Sequence, residues 1–353
     1  MKLYQYINTN ELEDMINLGY IEVEHHPFAP LRMYHYNKAC YYSGTWNETT
    51  KKCRGLIVDN EDNIVAIPFK KFFNYEEYED KSSLPTTPSF EICEKVDGTL
   101  GIMYWVDDMP YIATKGSFDN EQTRHANKIL HAKYKHNFHL LDRGCTYLFE
   151  IVYHDDRKII NYYGTDDLYL IGIIDNSMED VEYDIYNYCG SEVFPMKPVK
   201  YEFDDWVNIR EYVDSTNKEG FVIKFSNNFR LKLKFEEYCQ LHSIKYGITR
   251  KDIFNYLKED RGDELFTMIS LLEEEDRMVL NGIIDEIRGI YDNIYNICIA
   301  EKREGFETRK DAAEYINTCT YPHVLFAMMF STGDKYKKLI WKYVKEKIFL
   351  KKM

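Results

Sequence analysis

Lys95 is the residue whose setting most suggests chemistry. It stands in the run Glu94-Lys95-Val96-Asp97-Gly98-Thr99, behind the apolar-leaning Phe90-Glu91-Ile92-Cys93, which puts an amine at the end of a strand entering a turn. A lysine attacks only as the free amine, so its pKa, ordinarily about 10.4, must be lowered by burial or by neighbouring cations. Arg54, Lys71, Lys115, Lys232 and Lys234 supply cations at spaced positions. Taken singly, Lys95 also reads as a lysine in a hairpin turn and each of the others as a solvated charge at a strand edge. Their arrangement is what argues for a site. Other chemistries lack their residues. There is no G-x-x-x-x-G-K-[ST] loop, no G-x-G-x-x-G after a strand, no H-E-x-x-H or comparable cluster among ten histidines, and no G-x-S-x-G elbow.

The elements that must hold these groups are short. Leu56–Asp59, Ile64–Pro68, Leu100–Trp105, Tyr111–Thr114, Thr146–Tyr153, Leu168–Ile174, Gly220–Phe225 and Arg230–Phe235 are apolar or alternating runs. Turns such as Asn60-Glu61-Asp62-Asn63 and Ser226-Asn227-Asn228 separate them. Asn120–Lys135 has helical spacing. Strands and helices do not alternate regularly, which favours an antiparallel-rich α+β domain over a doubly wound sheet. The character changes near Lys245. Beyond it Ile283, Ile287, Ile290, Tyr291 and Ile294 lie on one helical stripe, Thr249 and Thr308 can open helices, and Lys335–Lys352 sets Leu339, Ile340, Tyr343, Val344 and Ile348 against many lysines. The expected division is an α+β domain over 1–245 and an all-helical domain over 246–353.

A chain of 353 residues suits two domains, and 44% apolar with 29% charged residues is ordinary for a globular protein. No run reaches the roughly 20 apolar residues of a membrane helix. The eight cysteines are scattered and never form C-x-x-C, so a reducing cytoplasm is expected. A net charge of −14 argues against coating nucleic acid through global charge, but not against a local basic cleft.

The motifs resemble, in order, those of the covalent nucleotidyltransferases, the superfamily of ATP-dependent ligases and capping enzymes. Lys95-Val96-Asp97-Gly98 is similar to the motif whose lysine accepts AMP. Lys115-Gly116-Ser117, Phe149-Glu150, Glu219-Gly220-Phe221-Val222-Ile223 and Leu231-Lys232-Leu233-Lys234 resemble the motifs that follow it. Tyr36-Asn37, Cys53-Arg54-Gly55, Lys71-Phe72-Phe73-Asn74 and the run from Lys232 to His242 resemble the phage T4 RNA ligase 1 family in particular. Gly262-Asp263-Glu264-Leu265 and His323–Phe326 continue the likeness more faintly. Thr99 stands where that family has Ser, and Glu264 where it has a second Asp.

The resemblance implies an ATP-grasp-like adenylylation domain followed by helices, and an ATP-dependent RNA ligase acting with Mg²⁺ or Mn²⁺. Lys95 would be the nucleophile. Arg54 and Lys71 would hold the β and γ phosphates. Lys232 and Lys234, alternating with leucine and so facing one way, would clamp the α-phosphate and lower the pKa of Lys95. Glu150 would bind the nucleoside sugar, and Tyr36 would line the ATP site. Asp97, Gly98 and Lys115 complete the motifs. Glu219 and Asp263 are candidate metal ligands, a turn residue and a helix N-cap being their plainer readings. The implied partner is RNA with 5′-phosphate and 3′-hydroxyl ends, by resemblance a broken tRNA anticodon loop, with selection by the helical domain of a monomeric enzyme. A DNA ligase or capping enzyme is the nearest alternative, although those generally carry a β-rich domain after the last motif. A non-catalytic RNA-binding protein of the same fold is the other.

Overall fold

The computed structural model describes residues 1–85, 89–331 and 333–349. The chain divides into two compact units, Met1–Cys239 and Gln240–Met353. The division falls inside the helix Glu236–Gly247, a few residues before the change in sequence character at Lys245.

The first unit is an antiparallel-rich α+β structure with three sheets. Strands β1 (Ile21–His25), β2 (Leu31–Tyr36), β3 (Arg54–Asp59) and β4 (Ile64–Ala66) form the first, in that order. Next come β5 (Phe73–Asn74), β6 (Phe90–Glu94), β7 (Thr99–Val106), β8 (Met109–Thr114), β9 (Cys145–Val152), β10 (Asp167–Asp175), β11 (Glu182–Tyr183), β12 (Lys200–Tyr201), β13 (Gly220–Phe225) and β14 (Arg230–Lys234). The second sheet runs β11-β10-β9-β7-β8 and the third β12-β6-β13-β14-β5. Among the described residues only β5 and β14 pair parallel; every other ladder is antiparallel.

Each expected strand forms, within a residue or two. The turn at Asn60–Asn63 is fixed by Asp59, whose carboxylate accepts from the backbone N–H of Glu61 and of Asn63, with Asp62 in the left-handed region. The helix expected over Asn120–Lys135 is regular only for Glu121–Ile129, capped by Asn120, and continues to Leu140 as irregular turns. Two buried clusters serve this unit. One lies between the first two sheets, around Met33, Leu56, Ile57 and Leu148. The other packs the helix Glu121–Ile129 on the second sheet, around Tyr147, Phe149, Leu170 and Phe194.

The second unit is all-helical among the described residues. After the spanning helix come Arg250–Lys258, Gly262–Ile269, Glu274–Glu301, Arg309–Ile316, Pro322–Phe330 and Lys335–Phe349. Thr249 and Thr308 accept from the N–H of Asp252 and Asp311, the N-caps anticipated from sequence. On the 28-residue helix the buried seam is Leu280, Ile284, Ile287, Ile294 and Cys298, while Ile283, Ile290 and Tyr291 flank it. The seam is therefore turned slightly from the expected stripe. On the terminal helix Ile340 and Val344 are buried; the last residues of the Lys335–Lys352 run lie outside the described residues. No helix among the described residues is long and apolar enough to cross a membrane.

Each unit has its own core, so damage should stay local. Ile287→Ala should cost about 2–5 kcal/mol, the scale of truncating a buried aliphatic side chain. Calorimetry should show a lowered transition for the helical unit, while chemistry at Lys95 survives at temperatures below it.

Candidate active site

Three strands of the third sheet bring Lys95, Glu219 and Lys234 together. Phe221 pairs with Glu94 and Gly220 with Lys234, and the backbone N–H of Lys95 donates to Gly220 O at 2.8 Å. The residue before Gly220 therefore lies between the end of β6 and the end of β14. Lys95 Nζ donates to Glu219 Oε2 at 2.7 Å, and Lys234 Nζ lies 2.8 Å from Oε1. Gly220 permits this, because its φ is +143° and a Cβ there would stand 2.1 Å from Leu233 O.

The Glu219 side chain is only 2% exposed. Burial opposes its ionisation, yet the Lys95 and Lys234 ammonium groups outweigh that and hold its carboxyl below the usual range. Burial likewise pushes Lys95 down, but Glu219 and Glu150 more than reverse it, and the ammonium is held above the ordinary lysine range. The expectation that Lys232 and Lys234 lower the pKa of Lys95 is thus corrected for this state. Two carboxylates face Lys95 at close quarters, and they win.

Lys232, Lys115 and Lys71 behave in the opposite way. Lys232 lies on β14 between the buried Leu231 and Leu233; burial and crowding by Arg54, Lys95 and Lys71 drive its pKa well below the ordinary value. Burial, then Arg54 and Lys71, bring Lys115 down to about 8, and burial also lowers Lys71. Aromatic faces lie against the lysines of the site. Lys115 Nζ is 4.0 Å from the Tyr36 ring centre, Lys232 Nζ 4.7 Å from Phe72, Lys71 Nζ 4.5 Å from Phe73 and Lys234 Nζ 4.8 Å from Tyr238. Arg54 lies over Phe72, and its buried Nη1 has no hydrogen-bond partner among the described residues. A set of desolvated cations with an unsatisfied donor is built to receive an anion.

The turn after Lys95 is tightly held. Asp97 Oδ2 accepts from the N–H of Ile159 and Ile160 at 2.9 and 3.0 Å, and the Tyr238 hydroxyl donates to Oδ1 at 2.8 Å. Asp97 is a buried brace for the loop. Gly98 N–H donates to Glu150 Oε1 at 3.1 Å, and a Cβ on Gly98 would meet Ile151 O at 2.4 Å. Burial pushes Glu150 up to about 7 against the pull of Lys95. A cleft of about 280 Å³ opens on this constellation, lined by Arg54, Lys95, Gly98, Glu150, Val222 and Lys232 among others.

A family model described as RNA ligase matches residues 52–239, just over half of the chain. The chain belongs to this RNA ligase family. An RNA ligase of Rhodothermus phage RM378 is 22% identical over 360 aligned positions, covering 81% of this chain and 80% of the phage protein. Among solved structures, an archaeal ATP-dependent RNA ligase covers 97% of this chain and 95% of its own at 12% identity and a TM-score of 0.46. A Naegleria gruberi RNA ligase with pyrophosphate covers 44% of this chain and 52% of its own, at 18% identity and a TM-score of 0.34.

Of the residues nominated from the family motifs, Tyr36, Arg54, Lys71, Lys95, Asp97, Gly98, Lys115, Glu150, Glu219, Lys232 and Lys234 belong to one connected neighbourhood. Asp263 belongs to the second unit; it sits in the first turn of the helix Gly262–Ile269, one residue past Gly262, and is not that helix's N-cap. Among the described residues no three His, Cys, Asp or Glu side chains gather as a metal cage. Both Glu219 oxygens are engaged by lysines, Oε2 by Lys95 and Oε1 by Lys234. The motifs did not point to Tyr238 or Trp46. Tyr238, four residues after Lys234 in a helical start, could have been suspected only from its spacing. Trp46 sits on Tyr36 and Phe73, with ring centres 4.9 and 5.6 Å away.

Lys234→Ala and Lys232→Ala should each slow ligation roughly a hundredfold, the scale of losing one donor to a charge that develops in the transition state. Gly98→Ala should be at least as damaging, because its Cβ has no room beside Ile151 O. Rates near normal in both lysine variants would place the reacting phosphorus elsewhere.

Proposed function

We infer that this RNA ligase runs on ATP through a lysyl-AMP intermediate on Lys95. The supporting observation is a single amine, at the end of β6, bonded to the buried Glu219 and set beside Glu150 and the crowded cations Arg54, Lys71 and Lys232. The Lys95 amine attacks the α-phosphorus, the Nζ–P bond forms, the α–β phosphoanhydride breaks, and pyrophosphate leaves while the amine's proton passes to solvent. An oxygen of the RNA 5′-phosphate then attacks the same phosphorus. The P–N bond breaks, Lys95 takes up a proton, and AMP is carried on the RNA end. Finally the 3′-hydroxyl oxygen of RNA displaces AMP from that end, releasing its proton, and the phosphodiester is made.

In this reading Arg54 and Lys71 hold the departing phosphates, and Lys232 and Lys234 stabilise charge on the α-phosphate. Glu150 meets the ribose, and Tyr36 with Lys115 walls the site. A divalent ion, Mg²⁺ or Mn²⁺, would neutralise the triphosphate it travels with. Glu219 acts on Lys95 and Lys234 by charge and hydrogen bond.

The substrate we assign is RNA with 5′-phosphate and 3′-hydroxyl ends, such as a cleaved tRNA anticodon loop. It would be met in the cytoplasm, of a host cell if the chain is viral, by a monomer. The helical unit is assigned its selection. Lys335, Lys337, Lys338, Lys342 and Lys345 are exposed on its last helix, a basic face on a chain of net charge −14.

Lys95→Ala and Lys95→Arg should both abolish AMP labelling from ATP in a folded protein, since neither supplies a primary amine at that place. Labelling by GTP in preference to ATP would move the chain to the capping chemistry. The triple change Lys338→Ala, Lys342→Ala and Lys345→Ala should weaken RNA binding and flatten its salt dependence while leaving AMP labelling intact. An unchanged salt slope would remove the terminal helix from the RNA contact.

A further inference from the structure

Beside the cation cluster lies a run of aromatic rings that reaches solvent. Trp46 packs edge-on against Tyr36 and Phe73. Tyr41 lies 6.4 Å from Trp46, and Tyr42 lies 5.5 Å from Tyr41. Lys71 Nζ stands over three of these rings, 4.5 Å from Phe73, 5.5 Å from Trp46 and 5.7 Å from Tyr41. The outer rings are open, Tyr41 being 54% and Tyr42 80% exposed.

The chain holds them there by design of the short helix Lys38–Ser43. Asn37 caps it by accepting from Cys40 N–H. The wholly buried Cys40 anchors its inner side, and Gly44, at φ 67°, turns the chain so that Trp46 folds back on the site. Two neighbouring exposed tyrosines that continue a part-buried aromatic row to Lys71 are not scattered surface residues.

In-line displacement says what belongs here. When Lys95 attacks the α-phosphorus, pyrophosphate leaves from the side opposite Nζ, toward Arg54 and Lys71 in the reading above. In the next step Lys95 is the leaving group, so the RNA 5′-phosphate must enter from that vacated side. Its phosphate then lies at Arg54, whose Nη1 is unpartnered, and at Lys71. The first nucleoside is carried just beyond, where the rings are. We propose that Tyr41 and Tyr42, continuing the Trp46 ring, form the subsite for the 5′-terminal nucleotide of the phosphorylated RNA strand, by base–aromatic stacking with Lys71 beside the phosphate. Stacking of this kind tolerates any base, so the subsite positions the end without reading its sequence.

This proposal rests on the ligase reading, and the test separates the two. Enzyme carrying AMP is mixed with a 5′-phosphorylated oligoribonucleotide, and transfer of AMP to the RNA is followed across RNA concentrations. Tyr42→Ala should raise the KM for this strand roughly tenfold, the scale of losing one base–aromatic stack, with kcat for the transfer near that of the unaltered enzyme. Formation of the AMP adduct from ATP should not change. Tyr42→Phe should restore the KM, and Tyr41→Ala should raise it as Tyr42→Ala does. An unchanged KM in both alanine variants overturns the subsite, as does a Tyr42→Phe enzyme as poor as Tyr42→Ala, which would make the hydroxyl and not the ring the active part. If unaltered enzyme carrying AMP passes none to the oligonucleotide, the ligase reading falls and the subsite with it.

Discussion

A buried carboxylate held between two lysines is the constraint from which the site is built. Glu219 could not be ionised at that depth without Lys95 and Lys234, and neither lysine would be so placed without the register of β6, β13 and β14. Gly220 makes the register attainable, because only a residue without a Cβ can lie so near Leu233 O. Removing one partner of such a group leaves an uncompensated charge in the interior, so the triad ties strand pairing to chemistry.

Around this triad the electrostatics divide into two camps. Lys95 has its anions already and rests as an ammonium. Lys232, Lys115 and Lys71 have mainly each other, Arg54 and aromatic faces, and their pKa values fall. Low pKa alone would nominate Lys232 as the nucleophile. The cause of the shift argues otherwise. Burial and cation crowding depress it, and an arriving polyphosphate relieves the crowding, so these amines are arranged to bind negative charge. Lys95 alone leads into the turn braced by Asp97 and lines the cleft together with Glu150 and Gly98. In the proposed reaction it must give up its proton before it attacks.

Much of this was legible in the sequence, for reasons that can be named. The strands carrying Lys95, Glu150 and the two motif lysines show as short alternating runs bounded by Asn, Asp and Gly turns. The helical unit shows in its 3.6-residue rhythm and its threonine caps. The first two strands, Ile21–His25 and Leu31–Tyr36, are not among the runs expected from sequence, although β2 carries Tyr36. What the sequence hid is whatever depends on pairing across distance. From sequence Glu219 reads as a turn residue or a metal ligand, and nothing local shows that the β13 register sets it on Lys95. The rings around Lys71 come from Tyr41, Trp46 and Phe73, which no local pattern joins. The sign of the Lys95 shift reversed the expectation, because spacing reveals the cations on β14 but not the carboxylates that lie closer.

The most direct measurement is to locate the AMP in the unaltered enzyme. After incubation with ATP and Mg²⁺, the protein would be digested under conditions that preserve the acid-labile phosphoramidate, and the modified peptide fragmented in a mass spectrometer. The account predicts AMP on Lys95 alone. AMP on Lys232 or Lys115, the amines whose pKa values are depressed, would contradict it.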